Sequence, residues 1–370
     1  MPRVDWNRLY HQQNIQIFGV NVPQMDLMTD SKGGKNFRAI KLKFSLLDFE
    51  IDAVPVRLPV MPVNMTPYLF RDGTLYYKGE ALGFENTEIS IIEWPRDENP
   101  WHLKGYTLPF EGTRNPLREL RLNPNISGYC PGKCSFCHRL YSHRMHPDKK
   151  RILSANDLFN RISEMNGPEI FKKVEQVVLI TELFGKEDRF LQCVSAIRQE
   201  LFQRGYPLER VFDCSAQDVR SSSGHKSLVK LVTPKRYCFT LEFFRDRQQL
   251  MGHYKGLPLD KVYKILESAR NAGFMEIQLN YLAGIDDLDE CAKGFQLLAS
   301  LGLIDSVGLS SFTFFSEEQI SCRHKTAWKP SYYLNVVEIL KSFNIRVYNP
   351  ESYDMRNPYS ILMDKANDSN

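Results

Sequence analysis

The chain has 370 residues, of which 42% are hydrophobic and 25% are charged, and its formal net charge at pH 7 is +4. This length suffices for one large domain or two, with a core that needs no disulfide or metal, and the small net charge does not favour a nucleic-acid-binding protein. Since no apolar run approaches the roughly 18 residues of a membrane span and the first residues lack the apolar core of a signal peptide, we expect a cytoplasmic protein.

The first 116 residues predict a β-rich extension. Strand-like stretches lie within 37–61, at 73–78 and at 88–93, where β-branched and aromatic residues are bounded by Gly, Asn, Asp and Pro. Few parts of this segment carry apolar residues at helical spacing. We therefore expect a separate β-rich unit at 1–116.

From residue 117 onward the pattern alternates between strands and helices. The predicted strands lie at 118–123, 176–181, 210–215, 237–242, 275–281, 306–311 and 345–348. The predicted helices carry apolar residues at helical spacing: Leu191, Val194, Ile197 and Leu201; Leu259, Val262, Leu266 and Ala269; Leu288, Cys291, Phe295 and Leu298; Leu334, Val337 and Leu340. The strand at 176–181 is apolar at its centre, which predicts burial on both faces.

This alternation predicts the fold class. Strands that alternate with helices pair in parallel through right-handed crossovers. We therefore expect an α/β fold at 117–350, either a partial (β/α)6-like barrel or a full (β/α) barrel of the TIM type. In such barrels the chemistry lies at the carboxyl ends of the strands. The tail at 351–370 is expected to close the barrel.

Three of the eight cysteines lie together after the first predicted barrel strand. Cys130, Cys134 and Cys137 have the spacing C-x3-C-x2-C, and disulfides are rare in cytosolic proteins. Structural zinc sites take four ligands, usually as two separated pairs; here a fourth ligand would have to be His138 or His143, in an unusual loop geometry. Three thiolates on a [4Fe–4S] cluster would instead leave one iron open to a small molecule. The spacing alone leaves both readings open.

The segment resembles the radical SAM superfamily, whose motif is C-x3-C-x2-C with an aromatic residue just before the third cysteine, here Phe136. The resemblance covers the motif closely and the region 117–350 by its pattern. It implies that the three cysteines hold a [4Fe–4S] cluster and that S-adenosylmethionine binds the open iron through its amino and carboxylate groups. Reductive cleavage would then release a 5′-deoxyadenosyl radical that takes a hydrogen atom from the substrate.

The resemblance implies cofactor contacts at the strand ends. The family usually carries a glycine-rich stretch after the second strand, near the methionyl amino group. This chain has a single glycine there, so Glu182 and Gly185 take that place. After the third strand, Ser215 or Gln217 would bond the ribose or carboxylate of the cofactor. An ordinary loop or turn role explains each of these residues equally well.

Two later strand ends complete the implied site. Glu242 ends the fourth strand as in the biotin-synthase-like branch, where a glutamate helps to hold the cofactor, and Arg245 is a further candidate. A carboxylate buried at this position needs a cationic or donor partner. Gly284 lies where the family carries a glycine-containing stretch near the adenine, so that the backbone would approach closely. A simple turn is the alternative for Gly284.

Other features are less specific. The stretch after the triplet is basic, which predicts a solvated face or a surface that steers an acidic electron donor such as a flavodoxin or ferredoxin; its residues are His138, Arg139, His143, Arg144, His146, Lys149, Lys150 and Arg151. In the tail, Arg356 is a candidate for binding a carboxylate bidentately. The five scattered cysteines are predicted to be packing residues, which argues against an auxiliary cluster.

Together these features predict a radical SAM enzyme that acts on a small-molecule substrate, with an amino acid as one candidate. The biotin-synthase-like features favour lyase or rearrangement chemistry. An aminomutase is the alternative enzyme, although it would need a pyridoxal lysine and no lysine can be singled out for that role. A non-enzymatic zinc-binding or iron–sulfur scaffold protein is the alternative of another class.

Overall fold

A computed structural model describes residues 28–29, 35–36, 39–44, 56–59, 66, 68–71, 74–82, 89–92, 105–107, 119–125, 130–137, 152–312 and 317–348. Within these ranges no helix is both long and apolar enough to cross a membrane. The basic stretch at 138–151 and the predicted tail with Arg356 lie outside the described residues.

Short strands build the N-terminal part of the chain. They are β1 Met28–Thr29, β2 Lys35–Asn36, β3 Ala39–Phe44, β4 Val56–Pro59, β5 Tyr68–Arg71, β6 Thr74–Tyr77, β7 Glu80–Ala81 and β8 Ile89–Ile92. β1 pairs with β2, β3 lies between β4 and β8, and β5, β6 and β7 form a meander, all with antiparallel pairing. The strands predicted within 37–61, at 73–78 and at 88–93 are thereby confirmed.

Strands and helices alternate in the rest of the chain. The strands are β9 Tyr106–Thr107, β10 Glu119–Leu122, β11 Gln176–Leu179, β12 Val211–Cys214, β13 Arg236–Glu242, β14 Glu276–Ala283, β15 Ser306–Ser311 and β16 Arg346–Tyr348. The helices are α1 Ala155–Asn166, α2 Ile170–Lys173, α3 Glu187–Gln203, α4 Ser222–Leu228, α5 Arg247–Lys255, α6 Leu259–Asn271, α7 Leu288–Ser300, α8 Glu317–Ile320 and α9 Pro330–Ser342, with a 3-10 helix at Lys325–Trp328.

The strands from β9 to β16 follow one another in sequence order. β10, β11 and β12 pair in parallel, as do β13 to β16, and β9 is antiparallel to β10. A parallel bridge between Ser215 and Cys238, with the Ala216 N–H donating to the Cys238 carbonyl at 2.8 Å, connects β12 to β13. The α/β class is confirmed. Among the described strands β9 and β16 are edges, so a closed barrel is not confirmed in this part of the chain.

The two faces of the sheet differ in polarity. On β14, Leu279 and Tyr281 are buried, and Tyr281 packs edge-on against Phe295 of α7 with ring centroids 5.0 Å apart. The alternate positions carry Gln278 and Asn280, which are half-buried. Because successive side chains of a strand point to opposite faces, helices cover one face of the sheet and the other face is polar.

This arrangement corrects two expectations. The strand at 176–181 was expected to be buried on both faces, but Val178 is only half-buried and Ile180 is 41% exposed. The helices pack on one face of the sheet, so only alternate residues reach the core. On α9, Leu334 was expected in the apolar face but is 40% exposed, whereas Val336 is fully buried.

A buried aspartate holds the loop that follows β11. Asp218, which comes after β12 and is 4% exposed, accepts hydrogen bonds from the backbone N–H groups of Phe184 at 2.8 Å and Gly185 at 3.2 Å. The Tyr254 hydroxyl of α5 donates to the same carboxyl at 2.5 Å. One side chain therefore fixes the loop after the neighbouring strand and joins it to α5.

The loop that follows β13 is held in the same way. Asp286, after β14, is fully buried and accepts hydrogen bonds from the N–H groups of Phe244 at 2.8 Å and Arg245 at 3.0 Å. The Tyr281 hydroxyl donates to its carboxyl at 2.8 Å, and the Tyr332 hydroxyl donates to its carbonyl at 2.7 Å. The loops after β11 and β13 are thus stabilised in the same way, each by a buried aspartate that follows the next strand.

The pKa of Asp286 makes stability depend on pH. Burial raises this pKa from 3.8 to about 6, against the hydrogen bonds that favour the carboxylate. The folded state binds the proton more tightly than the unfolded chain, so stability falls as the pH rises through this interval. Asp286→Asn removes the titration. The free energy of unfolding of the wild type relative to this variant should fall by roughly 2–3 kcal/mol between about pH 4 and pH 6 in denaturant titrations; a difference that stays constant or rises would contradict the expectation.

Candidate functional site

The loop of the three cysteines, residues 130–137, is held on helix α5 by backbone hydrogen bonds. The Lys133 N–H donates to the Met251 carbonyl at 3.2 Å, and the Ser135 N–H donates to the Leu250 carbonyl at 2.8 Å. The Ser135 hydroxyl donates to the same Leu250 carbonyl at 3.3 Å. Helix α5 follows β13, so this contact places the cysteine loop at the carboxyl end of that strand.

A break in α5 makes this contact possible. Gly252 has φ 69° and ψ 169°, values that no helix contains, so the carbonyls of Leu250 and Met251 are released from the i to i+4 pattern that they would otherwise follow. A positive φ suits glycine. A Cβ on Gly252 would also lie 3.1 Å from the Cβ of Lys133. Glycine at residue 252 therefore permits both the break in α5 and the close approach of the cysteine loop.

Helix α8 and the residues after it contact the loop as well. The Gln319 side-chain amide donates to the carbonyls of Ser135 at 3.2 Å and Cys137 at 3.4 Å. The Cys322 thiol lies 3.7 Å from the Ser135 hydroxyl, so this cysteine, which was expected to be a packing residue, packs against the candidate site. Within the loop, the Cys137 N–H donates to the Cys134 carbonyl at 3.1 Å.

Two of the three thiols of the loop border the space beside Gly132. A Cβ at this glycine would lie 3.4 Å from Cys130 Sγ, 3.6 Å from Cys134 Sγ and 3.5 Å from a methyl carbon of Leu183. Cys134 is 5% exposed, and Cys130 and Cys137 are half-buried. Burial raises the pKa of the Cys134 thiol to about 12, against the nearby ammonium of Lys255.

This loop fits an iron–sulfur cluster by its donor atoms and by the space beside Gly132. Within the described residues, no three His, Cys, Asp or Glu side chains gather closely enough to hold a single metal ion. A [4Fe–4S] cluster does not require such a gathering, because each thiolate binds a different iron. A Cβ at residue 132 would be in van der Waals contact with two of the three thiols.

Phe136 joins the motif to the end of β13. It is 8% exposed, and its ring packs edge-on against Phe243 with centroids 5.2 Å apart. The Nζ of Lys255 lies 6.0 Å from the centroid of the Phe136 ring. The aromatic residue that the motif requires is therefore a packing contact between the cysteine loop and the strand end.

The structure places the loop with Glu182 and Gly185 directly against the cysteine loop. Gly185 has φ +73°, and a Cβ there would lie 3.4 Å from Pro131 Cγ. The Asn125 amide donates to the Leu183 carbonyl at 3.3 Å. Glu182 is 8% exposed. These two predicted residues and the cysteines thus share one edge of the sheet.

Ser215 and Gln217 lie at the end of β12 and bond to β13. The Ser215 and Thr240 hydroxyl oxygens are 3.0 Å apart, and the Thr240 N–H donates to Gln217 Oε1 at 3.0 Å. Gln217 is 2% exposed, yet its Nε2 has no hydrogen-bond partner among the described residues. Gln217 therefore has one buried donor to offer a ligand.

Glu242 is engaged by a partner within the protein. Its carboxylate forms an ion pair with the ammonium of Lys255, which supplies the cationic partner that the sequence required. Glu242 has φ +69°, which is uncommon for a residue other than glycine. The predicted direct contact with a cofactor would have to share this carboxylate with Lys255.

Arg245 and Gly284 differ in what they offer. The backbone N–H of Arg245 is held by Asp286, whereas its Nε is buried without a hydrogen-bond partner in the described part of the chain. Gly284 has φ +116°, and a Cβ there would lie 3.3 Å from both Phe312 Cβ and the Tyr333 hydroxyl. Protein side chains thus pack against Gly284, and the approach of a cofactor to its backbone stays a prediction.

Four successive strand ends carry buried polar atoms that have no hydrogen-bond partner among the described residues. They belong to Asn123 after β10, Thr181 after β11, Gln217 after β12 and Arg245 after β13. An unsatisfied buried group costs about 1–3 kcal/mol, so such a row indicates a place where a polar ligand supplies the missing partners. The row lies at the same edge of the sheet as the cysteine loop.

Sequence reasoning did not find the residues that hold the site together, which are Asp218, Gly252, Lys255, Asp286 and Gln319. One repeated pattern offered a signal, because Glu-x-Phe at 182–184 and again at 242–244 opens the two loops that the aspartates hold. No local pattern marks Gln319, since it lies 184 residues from the carbonyl that it binds.

Comparisons with known proteins give only partial similarity. No protein-family model matches the chain, and no curated protein matches it. Among solved structures, the FeFe-hydrogenase maturase HydG from Carboxydothermus hydrogenoformans is 16% identical, with a TM-score of 0.44 over 61% of this chain and 52% of that one. SuiB from Streptococcus suis, bound to S-adenosylmethionine, is 15% identical, with a TM-score of 0.43 over 62% of this chain and 50% of that one.

A radical SAM methyltransferase from Sphaerobacter thermophilus is 15% identical, with a TM-score of 0.45 over 69% of this chain and 70% of that one. The match spans about half the length of the HydG and SuiB chains. At identities and TM-scores this low, the similarities carry no argument about activity. The description of the site therefore rests on the residues of this chain.

Gly252→Ala tests the contact between α5 and the cysteine loop. Gly273 has φ +99° with nothing within 4 Å of its Cβ position, so Gly273→Ala is a matched control that adds backbone strain alone. Both variants should lose about 1–2 kcal/mol of stability through the positive φ. Only Gly252→Ala should raise, by several-fold, the rate at which an alkylating reagent labels Cys134 in peptide mass spectrometry. An equal rise in both variants would contradict the assigned contact.

Proposed function

We propose that the protein is a radical SAM enzyme in which Cys130, Cys134 and Cys137 bind a [4Fe–4S] cluster and S-adenosylmethionine binds its open iron. The observation that carries the proposal is the cysteine loop, which combines the motif spacing with thiols that border the space beside Gly132. When bound, the two groups would supply a reductive cleavage that yields a hydrogen-abstracting radical, while the protein orients them.

The residues of the chain have distinct tasks in this proposal. Leu183 and Phe136 are apolar and buried beside the thiols, so they exclude water from the reacting region. The buried Gln217 Nε2 would donate to a ribose or carboxylate oxygen of S-adenosylmethionine. Glu182 and the loop carbonyls up to Gly185 would attract its ammonium group, because opposite charges and dipoles attract strongly at buried positions.

We infer that the substrate is a small polar molecule, with an amino acid as the favoured class. Support comes from the polar face of the sheet, where hydroxyl and amide groups on adjacent strands include Thr240, Gln278 and Asn280. A Cβ at Gly308 would lie 2.8 Å from Asn280 Oδ1 and 3.2 Å from Gln278 Nε2, so glycine lets these amides extend over β15. Hydrogen-bonding groups of this kind orient polar ligands.

Two ion pairs lie on the same face. Asp213 forms an ion pair with Arg236, and Glu276 forms one with Arg346. These pairs lie toward the amino ends of the strands, away from the cysteine loop. The amides and hydroxyls nearer the carboxyl ends are thus the groups that would contact the substrate, and lyase or rearrangement chemistry is the reaction class that the biotin-synthase-like resemblance favours.

The proposed reaction requires an electron from another protein. We propose a flavodoxin or ferredoxin as the donor, because the basic stretch at 138–151 directly follows the cysteine loop in sequence. A basic surface near the cluster would steer such acidic proteins.

Replacing the cysteines one at a time tests the cluster. After anaerobic reconstitution, Cys130→Ala, Cys134→Ala and Cys137→Ala should each lose most of the bound iron, the broad visible absorption and the formation of 5′-deoxyadenosine with dithionite. Cys193→Ala and Cys291→Ala remove cysteines outside the loop and should keep all three. Protein that contains zinc and forms no 5′-deoxyadenosine would instead support the scaffold-protein alternative.

Asn280→Leu tests the polar face as the substrate site. The variant keeps the branched shape of the side chain but removes the amide, so it should lower deuterium transfer into 5′-deoxyadenosine at least several-fold without changing iron content. The assay uses an extract of cells grown in deuterated medium as the source of substrate. Asn271→Leu makes the same change at an exposed position on α6 and should behave as wild type. Equal deuterium transfer in both variants would show that Asn280 does not contact the substrate.

A further inference from the structure

The ion pair of Glu242 and Lys255 lies near the cysteine loop, and the proposed chemistry gives it no task. Glu242 ends β13 and Lys255 ends α5, and their side chains are 15% and 16% exposed. Both residues contact or neighbour the aromatic pair of Phe136 and Phe243 that joins the loop to the strand. The pair is therefore enclosed at the candidate cluster site.

Lys255 keeps its positive charge in this enclosed position. Burial alone would lower the pKa of a lysine, but the Glu242 carboxylate and the thiols of Cys134 and Cys137 raise the pKa of Lys255 above its ordinary value. Glu242 is one of several groups that hold this proton, so Lys255 is a cation beside the cysteines.

The ammonium group of the pair lies near the cysteine loop. The Nζ of Lys255 lies 6.0 Å from the ring of Phe136, the residue just before Cys137. The pair therefore presents its positive end to the loop.

Two backbone distortions hold the pair at this place. Glu242 has φ +69°, and the pairing of β13 with β14 shifts register between Thr240 and Glu242. Gly252 breaks α5 three residues before Lys255. A non-glycine residue in the left-handed region costs about 1–2 kcal/mol, and such strain is found most often where it serves a function.

We propose that the Glu242–Lys255 pair sets the reduction potential of the cluster held by the cysteine loop, with the Lys255 ammonium stabilising the reduced form. This inference rests on the proposed function. Reduction adds one electron, supplied by a flavodoxin, a ferredoxin or dithionite, and raises the negative charge of the cluster with its thiolates by one unit. A fixed cation nearby favours the more negative state, and charges around a cluster are a known determinant of its potential.

Substitutions of opposite sign provide the test. Wild type, Lys255→Met, Glu242→Gln and Lys255→Arg are reconstituted anaerobically without S-adenosylmethionine, and each potential is measured by redox titration followed by electron paramagnetic resonance. Lys255→Met should shift the potential to more negative values because it removes the cation. Glu242→Gln should shift it to less negative values because it removes the opposing anion, and Lys255→Arg should restore a value close to wild type.

Lys264→Met is the matched control, since it removes a lysine at an exposed position on α6, and its potential should equal that of wild type. General damage to the site would shift Lys255→Met and Glu242→Gln in the same direction, so shifts of the same sign overturn the inference. Equal potentials in all variants overturn it as well. If Lys255→Met does not fold, Glu242→Gln and Lys255→Gln still test the predicted signs.

The same experiment separates this inference from the proposed function. A wild-type protein that takes up no iron and shows no reduced-cluster signal would overturn both. A cluster that forms in every variant, with a potential that does not respond to Lys255 or Glu242, would leave the proposed function standing and overturn the inference alone.

Discussion

The hydrogen bonds between the cysteine loop and the broken helix α5 are the interaction on which the rest of the candidate site depends. An intact helix has no free carbonyls along its length, so it offers a loop no main-chain acceptors. The non-helical backbone of Gly252 releases the carbonyls of Leu250 and Met251, which accept from Lys133 and Ser135. The same break precedes Lys255 and so places it beside the thiols. One glycine thereby determines where both the ligands and their neighbouring charge lie.

A second constraint acts on the loops around this contact. Asp218 and Asp286 each accept two consecutive backbone N–H groups from the loop after the preceding strand, and each also receives a tyrosine hydroxyl. Burial raises the pKa of both carboxyls, so this arrangement costs free energy at neutral pH. What it provides is a set of strand-end loops in defined positions, which a site for a cofactor and a substrate needs.

The two faces of the sheet differ in what they contribute: one holds the apolar core, and the other carries the polar groups. Its helix-covered face holds the apolar core, in which residues such as Leu279 and Phe295 are fully buried. Its other face carries ion pairs toward the amino ends of the strands and uncharged polar groups such as Asn280 toward the carboxyl ends. Because successive strand residues alternate between the faces, both properties come from the same strands.

Local patterns in the sequence determined the α/β alternation, most strand positions and the cysteine triplet, because strand and helix periodicity and C-x3-C-x2-C spacing involve residues within a few positions of one another. They did not determine which face of 176–181 is covered, since that depends on where the helices pack. Only the tertiary structure brought Gln319 to the cysteine loop and paired Lys255 with Glu242 beside it. The physical reason is that hydrogen bonds and charges act over a few ångströms in space, whereas the groups that they join can be far apart along the chain.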